Sequence, residues 1–145
     1  MSIKTCSPLV WFGSIVFGFL GACSIPNLEA DACIEARPFV REFYSYHFAH
    51  EMALTPEGLK ERERFLTLEH YEQLRAAEPV GDPFTVGKGE LPRAFRPGRC
   101  EIRTDGRAAF HVLLFWKDDE RTEQHRITTL LKNVDDKWLV DEIEN

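Results

Sequence analysis

The chain has 145 residues, 43% of them apolar, and its 24 acidic against 18 basic residues give a formal charge of −6. That length supports one domain of ordinary size with a real core. The acidic balance argues against nucleic acid, which demands a basic face, and against resting on anionic lipid. It suits a basic partner, because opposite net charge speeds encounter, although solubility alone would also account for it.

The first element is an apolar run behind a single cation. MSIKTC carries Lys4, PLVWFGSIVFGFL runs from Pro8 to Leu20, and Gly21-Ala22-Cys23 closes the stretch. A positive opening, an apolar core and a small-residue exit have the layout of a secretory signal. As a helix the core reaches about 20 Å at ~1.5 Å per residue, short of the ~30 Å bilayer core, so it is not a permanent span. Ordinary secretory cleavage prefers small residues three before and one before the cut. Leu20 fits that badly before Cys23, while Ala22-Cys23-Ser24 and Ala30-Asp31-Ala32 offer later positions. Leu20-Gly21-Ala22-Cys23 resembles the lipobox of bacterial lipoproteins, whose cysteine thiol receives a diacylglycerol and becomes the new N-terminus. The resemblance implies a signal peptide over residues 1–22, lipid attachment at Cys23 and a periplasmic location in the cell envelope. Ser24, in place of aspartate, favours the outer membrane. Two or more acyl chains anchor stably where one holds marginally.

Residues 23–35 are expected to form a tether and residues 36–145 a single domain. Loss of residues 1–22 removes only Lys4 among the charges, leaving 17 basic against 24 acidic residues and a balance of −7. With Cys6 gone and Cys23 lipidated, Cys33 and Cys100 remain in an oxidising compartment, where they pair or stay as two buried thiols. A disulfide between them closes a loop of nearly 70 residues. On the chain-entropy model it contributes roughly 4 kcal/mol and clamps the first helix to the sheet.

ARPFVREFYSYHFAHEM predicts an amphipathic helix, with Pro38 in its first turn and Phe39, Val40, Phe43, Tyr44, His47 and Phe48 at three-to-four spacing. Thr55-Pro56-Glu57 opens a short second helix, weakened by Gly58. Leu66-Thr67 starts a third through Ala77, with Thr67 as N-cap and Leu66 placed to staple onto Tyr71. Pro79 to Pro97 holds four prolines and three glycines and reads as a loop, with a short strand at Phe84–Val86. From Cys100 the period changes to two. CEIRT, the Asp105-Gly106 turn and RAAFHVLLFW predict a hairpin. Lys117-Asp118-Asp119-Glu120 then turns into TEQHRITTLLK, and Asp135-Asp136 into KWLVDEIE, completing an antiparallel meander. Ala108 to Trp116 is apolar on both faces, as a central strand should be.

Helices followed by a curved antiparallel sheet resemble the cystatin-like α+β cone typified by nuclear transport factor 2. PFVREFYSYH, the DPF at Asp82–Phe84 and the closing DDKWLVDEI resemble an uncharacterised family of bacterial periplasmic proteins with that fold, over about residues 36–145. Members carry a Gln-Asp pair soon after the DPF stretch, where this chain reads Gly87-Lys88-Gly89-Glu90. The resemblance implies the fold; it supplies no activity.

Chemistry-bearing residues are sparse. Ser45, the only serine after the tether, lies mid-helix with no triad partners. His47 and His50, followed by Glu51, sit three apart and could share a metal, but no further ligand spacing completes a set, so no metal or cofactor is expected. VGKGELP lacks the spacing of a phosphate loop. Charge runs such as LKERERF and WKDDERTE read as solvated faces. On the concave side of a cone, Tyr44, His47, His111, Glu123 and His125 are the candidate pocket residues. There, His111 with Glu123 or His125 would be an acid–base pair if the hairpin register is even.

The expected function is non-enzymatic: a lipid-anchored inhibitor or immunity protein that neutralises a toxin or wall hydrolase in the envelope. Lys88, Glu90, Arg93, Asp118, Asp119 and Glu120 are the candidate contacts. The alternatives are a small-molecule binder, with a pocket between the first helix and the Ala108–Trp116 strand, and a pocket enzyme of dehydratase or isomerase type.

Overall fold

The computed structural model describes residues 29–77, 79, 81–86, 89–117 and 122–145. Among them the elements run α1 (Asp31–Ala49), α2 (Pro56–Arg62), a 3-10 turn at Glu63–Phe65, α3 (Leu68–Ala77), β1 (Ala94–Ile102), β2 (Ala108–Lys117), β3 (Thr122–Val134) and β4 (Lys137–Glu144). Three helices thus precede a four-stranded antiparallel sheet in the order β1-β2-β3-β4, an α+β fold. Among the described residues no helix is long and apolar enough to cross a membrane.

Helix α1 starts at Asp31, so residues 31–35, expected in the tether, are helical, and Pro38 lies in the helix interior rather than its first turn. An interior proline removes one N–H and crowds the carbonyl four residues back. Tertiary ties hold this stretch in place. Cys33 is fully buried and disulfide-bonded to Cys100, with Cα atoms 5.9 Å apart. One turn on, Arg37 Nη1 donates to the Gly98 carbonyl at 2.9 Å, and its guanidinium lies 5.1 Å over the Phe110 ring. The disulfide therefore does clamp the start of the helix to the sheet.

The strand bound by those ties also begins earlier than its composition suggests. β1 starts at Ala94, inside the stretch read as loop, and passes through Pro97 and Gly98 by a register shift between Pro97 and Cys100. Proline and glycine suit an edge strand at a bulge, where one ladder position goes unused. A Cβ on Gly98 would stand 3.0 Å from the His111 carbonyl, so the close strand approach requires glycine there. Residues 83–86 form a turn, not the expected strand. The Asp82 carboxylate accepts from the Phe84 N–H at 2.9 Å and the Thr85 hydroxyl at 2.7 Å, and these local bonds compete with a ladder.

Other local signals are realised. Thr55 accepts from the Gly58 N–H at 3.0 Å and Thr67 from the His70 N–H at 3.2 Å, so both helix starts are capped. Asp135 and Asp136 take φ values of 51° and 62°, the left-handed pair of a two-residue hairpin turn. β2 lies inside the sheet. Ala108, Phe110, Val112, Leu114 and Trp116 are buried, while His111, Leu113 and Phe115 on its other face are half-buried. Val40, Phe43 and Tyr44 of α1 join those buried residues, with Ile127, Leu131 and Val140, in one core. Helix α3 is stitched to β4 by the Thr67 N–H on the Val140 carbonyl and the Thr67 hydroxyl on Asp141, each at 2.9 Å.

Candidate functional site

The apolar stripe of α1 turns two polar side chains inward, and each has found partners. The Tyr44 hydroxyl donates to the Phe84 carbonyl at 3.1 Å and shares a hydrogen bond with Thr129 Oγ1 at 2.7 Å. Burial pushes its phenol far above the usual range. His47 sits between Arg62 and Asp82: Arg62 Nε lies 3.0 Å from Nδ1, and Asp82 Oδ2 lies 3.0 Å from Nε2. A guanidinium only donates, so Nδ1 must accept and the ring hydrogen sits on Nε2, directed at the carboxylate. Arg62 Nη1 and Nη2 donate to the Gly58 and Glu51 carbonyls, both at 2.8 Å. A Cβ at Gly58 would come within 3.2 Å of Arg62 Nη1, so the glycine leaves room for the guanidinium.

Arg62, His47 and Asp82 are at most 1% exposed. This chain of ion pair and imidazole ties α1, α2 and the 82–85 turn into one block. A histidine oriented by a carboxylate is a familiar catalytic arrangement, but here its second nitrogen already holds an arginine and all three groups are shut away from solvent. The arrangement positions elements; it presents no reactive atom. Arg62 lies in LKERERF, a run read as a solvated face, and that reading fails at this residue.

The remaining histidines are dispersed. His50 is exposed, its Nδ1 donating to the Tyr46 carbonyl at 2.7 Å and its ring stacking on Tyr46 at 4.0 Å. His47 is fully buried with both ring nitrogens engaged, so the two are not brought together as ligands of one metal. Among the described residues, Glu29, Cys33 and Cys100 are the trio close enough to ligate one ion, and their two sulfurs are bonded to each other. His70 on α3 is 8% exposed and its Nε2 has no hydrogen-bond partner. Burial lowers its pKa, against a weaker upward pull from Asp141, Gln73 and Glu142.

The β2–β3 register decides the expected acid–base pair. His111 lies opposite Thr128, whereas Leu114 faces His125 and Trp116 faces Glu123. His111 is therefore on the other side of the sheet from Glu123 and His125, and the pair it was expected to form is absent. Among the described residues, Tyr44 and His47 are fully buried and line no open pocket between α1 and β2. Phe43 and Phe84 pack edge-to-face at 5.2 Å, and Phe95 lies 5.5 Å from Tyr44, filling that space.

What the fold does bring together lies at one end of the sheet. Trp116 Nε1 donates to the Glu90 carbonyl at 2.7 Å, and the Arg93 N–H donates to the Phe115 carbonyl at 2.8 Å. His125 Nε2 pairs with Glu123 Oε1 at 2.7 Å, and the His125 ring stands edge-on to Trp116 at 5.3 Å. Glu90, Arg93 and His125 are exposed and Glu123 half-buried, with Leu91 among them, 39% exposed. Two sets of candidates from separate stretches, Glu90 with Arg93 and Glu123 with His125, thus share the Trp116 end. Lys88, Asp118, Asp119 and Glu120 lie outside the described residues, as do Cys23 and the lipobox-like segment.

No protein-family model matches the chain, and no curated protein matches it. Among solved structures, a crystal structure of a protein of unknown function from Bacteroides thetaiotaomicron VPI-5482 is similar. It has 23% identity and a TM-score of 0.53, over 79% of this chain and 92% of that one. At that identity the likeness concerns the fold alone.

Proposed function

We propose that this chain is a lipid-anchored protein of the bacterial envelope that binds another protein at the Trp116 end of its sheet. Its role is that of an inhibitor or immunity lipoprotein, set against a basic toxin or wall hydrolase. The observation that carries the reading is the convergence of Glu90, Arg93, Glu123 and His125 at the end of the sheet marked by the buried Trp116, with Leu91 an exposed apolar residue among these polar ones. Interfaces share that anatomy of apolar centre and polar rim. A net charge of −7 beyond the signal favours a cationic partner. The lipobox-like Leu20-Gly21-Ala22-Cys23 would hold the domain where envelope hydrolases act, with the outer membrane favoured by Ser24. Helices on one side of a sheet that shifts register at Pro97–Cys100 and at Leu130–Leu131 support the finer assignment to the cystatin-like cone and to the periplasmic family its motifs resemble.

The test is capture of partners from the native envelope, using the wild type and a Leu91→Asp/Arg93→Glu variant. A basic secreted enzyme is expected on the wild type only, and co-expression of the wild type should protect cells from that enzyme. Equal capture by the variant, or no protection, refutes the reading.

A further inference from the structure

We infer that the cleft between α2 and α3 binds a small molecule with an apolar body and a single anionic head, a carboxylate or a phosphate. The cleft encloses about 470 Å³. Small-molecule sites usually span roughly 300–1,000 Å³. Its walls are Leu54, Pro56, Leu59, Leu74 and Pro79, and the polar groups that reach it are Thr55 and Arg75. This is neither the sheet-end patch nor the space beneath α1, and it stands whether or not the protein-binding reading does.

Three features make the cleft a receptor rather than a surface wrinkle. Its floor is fixed, because Leu59 and Leu74 are 4% and 9% exposed and belong to the main core. Its rim is tied, because the Leu54 N–H donates to the Gly81 carbonyl at 2.9 Å and the Leu59 N–H to the Thr55 carbonyl at 2.8 Å. The apolar surface needs an apolar occupant, and among the described residues Arg75 is the charged one that lines it.

Charge chemistry then sets the head group. Arg75 is paired with Glu72, three residues earlier on α3, and the two side chains are 66% and 46% exposed. Exposed pairs of this kind contribute little, so an incoming anion can displace Glu72. The guanidinium fork matches carboxylate and phosphate oxygens two at a time. Thr55 already accepts from the Gly58 N–H, which leaves its own hydrogen free to donate into the cleft.

The experiment titrates the purified protein with decanoate, decyl phosphate and decanol, by calorimetry and by amide chemical shifts. Saturable binding of at least one anionic probe is expected, with shifts centred on residues 54–59 and 74–75, and decanol should bind about tenfold more weakly than that probe. Arg75→Gln should weaken the anion about tenfold and leave decanol unchanged. Glu72→Gln should strengthen it severalfold by freeing the guanidinium. A Leu54→Trp variant, which fills the cleft, should abolish binding of all three. The inference is overturned if neither anion saturates, if the shifts lie elsewhere, or if Arg75→Gln and Glu72→Gln leave the affinity as it was.

Discussion

Asp82→Ala tests whether the Arg62–His47–Asp82 chain holds the helices to the rest of the fold. The carboxylate takes hydrogen bonds from three buried donors: His47 Nε2 at 3.0 Å, Thr85 Oγ1 at 2.7 Å and the Phe84 N–H at 2.9 Å. A buried donor left without an acceptor costs about 1–3 kcal/mol. Removing one member of a buried charged pair costs about 3–5 kcal/mol, and Arg62 would lose the anion it reaches through the imidazole. We therefore expect a loss of about 4 kcal/mol, a large part of the ~5–15 kcal/mol that holds a typical domain together. Asp82→Asn should be almost as damaging. Arg62 pins the Nδ1 acceptor, so the imidazole cannot switch tautomer. Whichever way the amide turns, its NH₂ faces a donor, the Nε2 hydrogen on the Oδ2 side or the Phe84 N–H on the Oδ1 side. Thr85→Val removes one donor and leaves the carboxylate two, at about 1 kcal/mol. Urea unfolding followed by the fluorescence of buried Trp116 and Trp138 gives the midpoints, compared at unchanged slope. A loss below about 1 kcal/mol for Asp82→Ala would show that the chain of polar groups contributes nothing net, and the argument would fail.

Three further outcomes follow from single features. Reducing the Cys33–Cys100 bond, whose ends are 67 residues apart, should lower stability by about 4 kcal/mol on the chain-entropy estimate; identical urea midpoints with and without reductant would contradict it. His70 has its pKa lowered by burial from 6.5, so the unfolded chain takes up this proton before the folded one does. Its contribution is complete above about 6.5 and is lost as pH falls through the window between that value and the lowered one. His70→Gln should therefore flatten the acid limb of the stability profile, and superimposable limbs for the two proteins would count against the assignment. Cys23→Ala should move the protein from the membrane fraction to the soluble one and abolish incorporation of labelled fatty acid, whereas a wild type with an unmodified leader by intact mass refutes the lipid anchor.

Which features could be seen in the sequence depended on how far apart their causes lie along the chain. Thr55, Thr67, Asp105-Gly106 and Asp135-Asp136 act on their own neighbours, so caps and hairpin turns were legible. The first part of β1, before Cys100, was not, because Pro97 and Gly98 look like loop until a disulfide and Arg37 bind the bulge to α1 from some 60 residues away. The fate of His111 hung on a register that the hydrophobic pattern of β2, apolar on both faces, leaves free; pairing with Thr128 rather than His125 carried it across the sheet. Arg62 is the most instructive case. Composition places it in a run of charges, yet it follows Leu59 by three residues on a short helix, and that spacing puts it on the same buried side as the leucine. His47, a polar group within an apolar stripe, demanded a partner. Arg62 from α2 and Asp82, opening a Pro-Phe-Thr turn whose hydrogen bonds it collects, were the groups able to supply one. Periodicity applied to charged residues, and not to apolar ones alone, would have found one half of that pairing; the other half exists only once the chain has folded.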